Sequence, residues 1–423
     1  MLITGGRVIN PATNTDDILD IRCADGVISE IGKNLVANSG EEVVDVTGKV
    51  VMPGLIDMHV HFRDPGQTHK GDIETESAAA ARGGFTTVLA MPNTTPVADN
   101  PDVIKYVHDK AASVGLTRVF QVGSVTKGMA GAEVSDISGM KNAGIIAISE
   151  DGKSVMNSEI YREAMEVAVD ENLTILAHCE DINLVHGGVM NKGAKSSEMG
   201  FGGISNAVEN IIEVRDIMLA EETGARLHLC HCSTKESYEI IQDAKKKGIK
   251  VSGEVCPHHF TLTEDDIVED DGNYKMNPPL RTKEDKEWLR KGLHDGIFEV
   301  ISTDHAPHAA DEKAKGFKGP FGITGLETSV ALTYSELVLG DVLDLMGMAR
   351  CMSYNPSRIL GLDDSGDISV GKRADIVAID ITDEYEIHAE DFAGKSKNMP
   401  YEGRKVKGRV VLTVLEGKTT YKF

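Results

Sequence analysis

The sequence predicts an α/β protein: a (β/α)8 barrel of the TIM type with a small β-sandwich that both chain ends build together. Three observations predict it. Between residues 53 and 362, near-continuous apolar runs alternate with stretches of helical period, the pattern of a parallel sheet covered on both faces. Polar residues of metal-ligand type close most of those runs, at the end where barrels of this kind gather their chemistry. Residues 1–52 and 363–423 share another texture, short strand-like segments cut by turn formers.

At the N-terminus the segments are Leu2 to Thr4, Arg7 to Ile9, Gly26 to Ile28 and Glu42 to Val46, interrupted at Asn10-Pro11 and Ala24-Asp25-Gly26. Ala374 to Asp380 and Val410 to Val414 repeat the texture at the other end, so 1–52 and 363–423 are expected to form the sandwich and 53–362 the barrel. Eight apolar runs are predicted as barrel strands: Leu55 to Phe62, Phe85 to Asn93, Arg118 to Val125, Ile145 to Asp151, Thr174 to Glu180, Arg226 to Ser233, Lys250 to His259 and Glu299 to His308. Helical periodicity covers Asp72 to Arg82, Asn157 to Glu171, Ser205 to Glu222, Thr234 to Lys247 and Thr328 to Leu339. An open doubly wound sheet is the competing architecture for this alternation.

The chain of 423 residues has 41% apolar residues, as globular proteins do. No apolar run is long enough to span a bilayer and no basic segment leads into an apolar one near the N-terminus, so neither a membrane span nor a secretory signal is expected. Six cysteines, Cys23, Cys179, Cys230, Cys232, Cys256 and Cys351, sit mostly in apolar runs and read as reduced thiols of a cytoplasmic protein. A net charge of -23 argues against nucleic acid or an anionic membrane as partner. An anionic small substrate would then need a local cation, for which Arg63 is the candidate.

His59 and His61 lie one residue apart in the first run, and strand alternation puts both on one face with Asp57 and Arg63. That face is costly to bury without a function. Asn93 closes the second run, Asp151 the fourth, His178 the fifth, His231 the sixth, His258 and His259 the seventh, and Asp304, His305 and His308 the eighth. Four imidazoles, His59, His61, His178 and His231, and the carboxylate Asp304 thus gather at one rim, a donor set suited to zinc. They exceed the needs of one ion, so two zinc ions are expected, with Asp151 as the bridging anion and Glu150 and Lys153 as substitutes for it. Cys230 and Cys232 are expected to point away from the face of His231, into the barrel wall, and Cys179 likewise.

The run Pro53 to Arg63 resembles the opening strand of the cyclic amidohydrolases within the amidohydrolase superfamily. Met91-Pro92-Asn93-Thr94, Glu254 to His259, Met276 to Arg281, Ser302 to His308, Gly325-Leu326-Glu327-Thr328 and Gly371 to Asp375 resemble the class I dihydroorotases over nearly the whole chain. The resemblance implies a zinc-dependent hydrolase of de novo pyrimidine biosynthesis that interconverts N-carbamoyl-L-aspartate and L-dihydroorotate. By motif, His59 and His61 bind one zinc and His178 and His231 the other, Asp304 completes the site, and Asp151 bridges where many relatives use a carboxylated lysine. The resemblance also implies that Asn93 and His308 join Arg63 around the substrate carboxylate, that Asn277 contacts the ring, and that the backbone near Gly322 closes the pocket. A homodimer is expected, and association with aspartate transcarbamoylase is a further expectation.

Zinc would supply a nucleophile at neutral pH and polarise the amide carbonyl, while Asp304 takes a proton and passes it to the departing ring nitrogen. Arg63 would bind the substrate carboxylate, and the bland alternative for it is an ion pair with Asp64. Hydantoinases, dihydropyrimidinases and allantoinases compete as readings, but their substrates lack the ring carboxylate that Arg63 and Asn93 would meet. A catalytically silent scaffold is a reading of another class, and such a chain would typically have lost ligands that are all present here. The polar stretch Asp311 to Gly322 reads as a mobile loop over the site.

Overall fold

The computed structural model describes residues 1–423. Both chain ends build one mixed sheet of eight strands. Its order is Lys418–Lys422, Lys405–Leu415, Ile376–Glu386, Val50–Pro53, Leu2–Asn10, Thr15–Ala24 and Val27–Gly32, with Val43–Asp45 also paired to Leu2–Asn10. Alternate residues of these strands, among them Ile3, Val8, Ile21, Val51, Ile376, Leu412 and Val414, bury a core of their own.

Only Gly54 separates this sheet from the next strand, Leu55–Val60. The close approach there requires glycine, because a Cβ on Gly54 would come within 2.3 Å of Thr86 Oγ1. Arg118 ties the two parts together, reaching Asp375 at 2.9 Å and Glu416 at 2.7 Å.

Parallel pairing then runs from Leu55–Val60 to Phe85–Ala90 and Arg118–Gln121. It continues from Gly123–Ser124 through Ala147–Ser149, Thr174–Ala177, Arg226–Leu229 and Val251–Val255 to Val300–Ile301. A parallel bridge from Val60 to His305 and the bond from His61 N to His305 O at 2.8 Å join the last segment to the first. The strands are largely apolar and buried because helices cover them outside, while Ile56, Met58, Leu89, Ala147, Leu176 and Val300 pack in one cluster. Helix starts follow their caps: Asp72 caps Ile73–Arg82, Thr234 caps Lys235–Lys246, and Asn157 caps Ser158–Asp170.

Several expectations change. The strands are shorter than the apolar runs, and most of the polar residues that close the runs sit just beyond them. The seventh ends at Val255, since Pro257 opens a helix over Pro257–Thr261 that carries His258 and His259. Thr328 to Leu339 is a short α-helix, Ser329–Leu332, continued as a π-helix over Thr333–Val338, a change of pitch that apolar periodicity does not reveal. The stretch Asp311 to Gly322 is packed, with a helix at Ala310–Lys313, a 3-10 turn at Gly316–Lys318, and Lys313 and Phe317 buried.

Candidate metal centre and substrate pocket

The polar residues meet in a recess of about 590 Å³ at the ends of the ring strands. His61, Arg63, Asn93, Asp151, His178 and His231 line one part of it; Asn277, Asp304, His308, Phe321 and Gly322 line the rest. His59 lies fully buried beneath.

Three of these residues, Arg63, His231 and Asp304, have positive φ of 61°, 37° and 49°. Left-handed backbone is unfavourable for residues with a Cβ, and its concentration here marks side chains aimed by sharp turns just past the strands. The turn at Arg63 also means that strand alternation does not put it on the face of His59, because the strand ends at Val60. Asp57, expected on that face, stays out of the recess. Its carboxylate accepts from the N–H groups of His59 and Thr303, and burial pushes its pKa up to about 7.

Asp151 is the hub of the cluster. Its Oδ1 is 3.1 Å from His59 Nε2, 3.5 Å from His178 Nδ1 and 3.6 Å from His231 Nε2, and its Oδ2 is 3.4 Å from His61 Nε2. Two potential metal triads share it, His59–His61–Asp151 and Asp151–His178–His231. Asp304 adds its Oδ1 at 3.1 Å from His61 Nε2 and 3.5 Å from His59 Nε2. Burial opposes ionisation of Asp151, but the surrounding His59, His178 and His231 outweigh it and hold the carboxyl well below the usual range. Asp304 is likewise held down by His61 and His59 against its burial.

The outer nitrogens of three rings are already engaged. His59 Nδ1 donates to Glu254 Oε1 at 3.1 Å, His61 Nδ1 to Asn93 Oδ1 at 2.9 Å, and His178 Nε2 to Glu180 Oε2 at 3.4 Å. Neutral imidazole has one N–H, so in the neutral rings the inner nitrogens of His59 and His61 turn lone pairs toward carboxylate oxygens, and that of His178 lies 2.9 Å from His231 Nε2. The buried His59 Nε2 has no hydrogen-bond partner. Without a metal a second ring proton meets Asp151, whose charge holds the His59 pKa well above its usual value despite burial; a divalent metal would replace that proton, and the donor set of imidazole and carboxylate suits one.

The two substitutes for Asp151 face elsewhere. Glu150 accepts from Thr126 N and Oγ1, and Lys153 Nζ donates to Met129 O at 2.9 Å. His258 and His259 do not line the recess; His259 Nε2 donates to Pro278 O at 3.0 Å and burial pushes the His258 pKa down to about 4. Cys179 and Cys232 pack in the large core, whereas Cys230 lies with His59 and Glu254 inside the ring. The expectation for Cys230 fails because the left-handed turn at His231 breaks the alternation on which it rested.

Arg63 is 9% exposed, and no carboxylate comes within 4 Å of it. Asp64, the ion-pair partner considered above, instead meets Lys110 at 2.6 Å and Tyr106 Oη at 3.0 Å. Arg63 Nε donates to Pro307 O at 3.2 Å, and Nη2 lies 3.2 Å from His308 Nε2. That nitrogen is also 2.8 Å from Phe321 O, to which it must donate, so it cannot accept from Arg63 as well. Burial, then the positive charges of Arg63, Lys70 and Lys313, push the His308 pKa down to about 2 and keep the ring neutral. A guanidinium edge is left for an anion.

Glu254 was missed by the sequence reading. Fully buried, it accepts from His59 Nδ1, from His231 N at 3.2 Å and from His228 Nε2 at 3.1 Å, and so orients two of the histidines. A carboxylate inside the apolar run Val251 to Val255 was the available signal, since such a group is costly unless paired. Glu180 was missed as well; it accepts from Asn277 Nδ2 at 2.9 Å and from His178.

Residues 48–237 match the family model described as dihydro-orotase-like. The dihydroorotase of Acetivibrio thermocellus is 44% identical over 99% of this chain and 98% of its own length. That of Geobacter sp. strain M21 is 46% identical over 100% of this chain and 99% of its own. Among solved structures, the L-hydantoinase (dihydropyrimidinase) of Arthrobacter aurescens superposes with a TM-score of 0.89 at 24% identity, covering 100% of this chain and 96% of that one. The dihydropyrimidinase of Brevibacillus agri NCHU1002 gives 0.88 at 24% identity, covering 100% and 95%. At that identity the superpositions establish the shared fold alone. The sequence likeness reaches further, because it spans nearly the whole length of this chain and of both relatives: the chain belongs to the dihydroorotase family.

Proposed function

We propose that this chain is a zinc-dependent dihydroorotase that interconverts N-carbamoyl-L-aspartate and L-dihydroorotate in pyrimidine biosynthesis. The observation that carries the substrate choice is Arg63, a buried cation without an ionic partner, opening into the same recess as the Asp151 cluster. A substrate carboxylate supplies the missing partner, with Asn93 and His308 beside it. In this reading His59 and His61 would hold one zinc and His178 and His231 the other, with Asp151 as the shared carboxylate and Asp304 completing the site.

Zinc bound there supplies a Lewis acid and a water acidified toward a pKa of about 7. In the hydrolytic direction Asp304, ionised and beside His61, takes the proton released as water adds to the ring amide carbonyl. It then delivers that proton to the departing ring nitrogen as the C–N bond breaks. In the biosynthetic direction Asp304 removes a proton from the carbamoyl nitrogen, which closes on the side-chain carboxyl with loss of water. Asn277, held by Glu180, steadies the ring, and the Phe321–Gly322 backbone closes the pocket.

The fold reading that accompanies this function is a (β/α)8 barrel over 53–362 and a β-sandwich from 1–52 and 363–423. Its supports are the circuit of parallel pairing and the antiparallel bridge from Val27 to Arg373, which folds the terminal sheet back on itself. No helix is long and apolar enough to cross a membrane, and all six cysteines are free and buried, as suits a reducing cytoplasm. For the homodimer, the support is a row of exposed apolar residues, Ile211, Val214 and Met218, on helix Ala207–Thr223.

A panel of cyclic amides tests the function. Dihydroorotate should be turned over well above hydantoin, allantoin and dihydrouracil. Faster turnover of dihydrouracil, which has no ring carboxylate, would overturn the assignment.

A further inference from the structure

Across the recess from the histidines, the pocket wall consists of Asn277 and the Phe321–Gly322 backbone, all on irregular segments. Two buried lysines stand behind it. Lys313 and Lys275 are 5% and 6% exposed, and neither has a carboxylate within 4 Å. Lys313 Nζ donates to the carbonyls of Gly322 at 2.8 Å, Pro320 at 3.1 Å and Lys275 at 3.2 Å. Lys275 Nζ donates to the carbonyls of Gly319 at 2.7 Å and Phe317 at 2.9 Å, and lies 4.1 Å from the centre of the Phe321 ring. Gly322 N returns a bond to Lys275 O at 2.9 Å.

Each ammonium is therefore hydrogen-bonded by backbone carbonyls, of Lys275 and of the 317–322 segment, although burial and then the Lys275 charge push the Lys313 pKa down to about 7; a neutral apolar side chain of equal length could not gather those carbonyls. Lys275 is two residues from Asn277, so one knot fixes both halves of the wall. Phe321, inside this knot, also supplies the carbonyl that takes the His308 Nε2 proton and thereby leaves Arg63 unengaged.

We propose that Lys275 and Lys313 are positioning residues: a paired ammonium clamp that shapes the 317–322 wall so that His308 is held and Arg63 is free for the substrate carboxylate. This rests on the dihydroorotase reading for its substrate but not for its geometry. Releasing the clamp lets Phe321 withdraw, His308 Nε2 accept from Arg63, and substrate affinity fall while the proton-handling Asp304 is untouched.

The test compares Lys313→Met and Lys275→Met with the wild type by steady-state kinetics on dihydroorotate, bound-zinc content and hydrogen exchange of amides 316–322 without substrate. Each variant should raise KM about 10- to 100-fold, with kcat within about threefold. Zinc should be unchanged, and exchange should be faster in that segment alone. Lys313→Arg, which keeps a cation, should fall nearer the wild type. KM within twofold despite faster exchange would refute the effect on the site, and unchanged exchange would refute the clamp. If one Met variant fails to fold, the other decides by the same readings. Should the wild type not act on dihydroorotate, the functional reading fails by itself, while exchange still decides the clamp.

Discussion

Replacing Arg63 by Met removes the cation and keeps much of the side-chain volume. The φ of 61° at this position burdens any residue with a Cβ, so arginine and methionine bear the same backbone strain. Burial pushes the Arg63 pKa from 12.5 down to about 10. At 1.36 kcal/mol per pKa unit, that corresponds to roughly 3 kcal/mol by which burial disfavours the charge. Methionine escapes this penalty, so Arg63→Met should melt at or above the wild-type temperature. Substrate binding should suffer instead, because truncating one partner of a buried charge pair costs ~2–5 kcal/mol. At about 1.4 kcal/mol per decade this is about a 30- to 4000-fold rise in KM for dihydroorotate. Zinc content should not change, since Arg63 touches no metal ligand closely. Steady-state kinetics, zinc analysis and a thermal melt on the same preparation read all three quantities. A KM within threefold of wild type, or a KM that rises only because zinc is lost, would refute the reasoning.

Glu254→Gln should lower zinc affinity about 10- to 100-fold in a chelator competition, because the amide cannot accept from His59, His228 and His231 N together. Unchanged affinity would remove Glu254 from the support of the metal centre. Gly54→Ala forces a Cβ to 2.3 Å from Thr86 Oγ1 and should cost about 1–3 kcal/mol, read as a lower urea midpoint. His108 Nε2 accepts from Gln121 N at 3.0 Å, and burial lowers its pKa despite the opposing Ala143 carbonyl. The native state then binds this proton less readily than the unfolded chain, so stability falls as pH drops below about 6.5. His108→Gln, which can still accept, should lose less stability than wild type between pH 7.5 and 5.5, and equal losses would contradict this.

The parallel pairing was legible because strands buried on both faces read as continuous apolar runs, and the terminal sheet was legible from its turn formers. Strand boundaries were not. Leu55 to Phe62 and Arg226 to Ser233 look unbroken, yet the chain leaves regular structure by left-handed turns at Arg63 and His231 that no side-chain pattern encodes. Alternation carried across such a turn misplaced Cys230 for this reason. The seventh run had a visible stop at Pro257 that its histidines obscured. Asp311 to Gly322 read as mobile because its lysines and glycines look solvent-bound, but Lys313 is buried by finding three carbonyls. The polar cluster itself was readable because each of His59, His61, Asp151, His178, His231 and Asp304 sits at or just beyond the end of a largely apolar strand. Glu254 was passed over because it lies inside its strand rather than at the end, although the motif Glu254 to His259 contains it.

Two zinc ions that share Asp151 should serve dihydroorotate hydrolysis. Zinc content measured together with that hydrolysis, for the wild type and Asp151→Ala, tests it most directly. About two zinc ions per active wild-type chain are expected, fewer in the variant, and loss of most activity with them. A wild type that holds no zinc and gains no activity when zinc is added, or an Asp151→Ala variant that keeps full zinc and full activity, would contradict it.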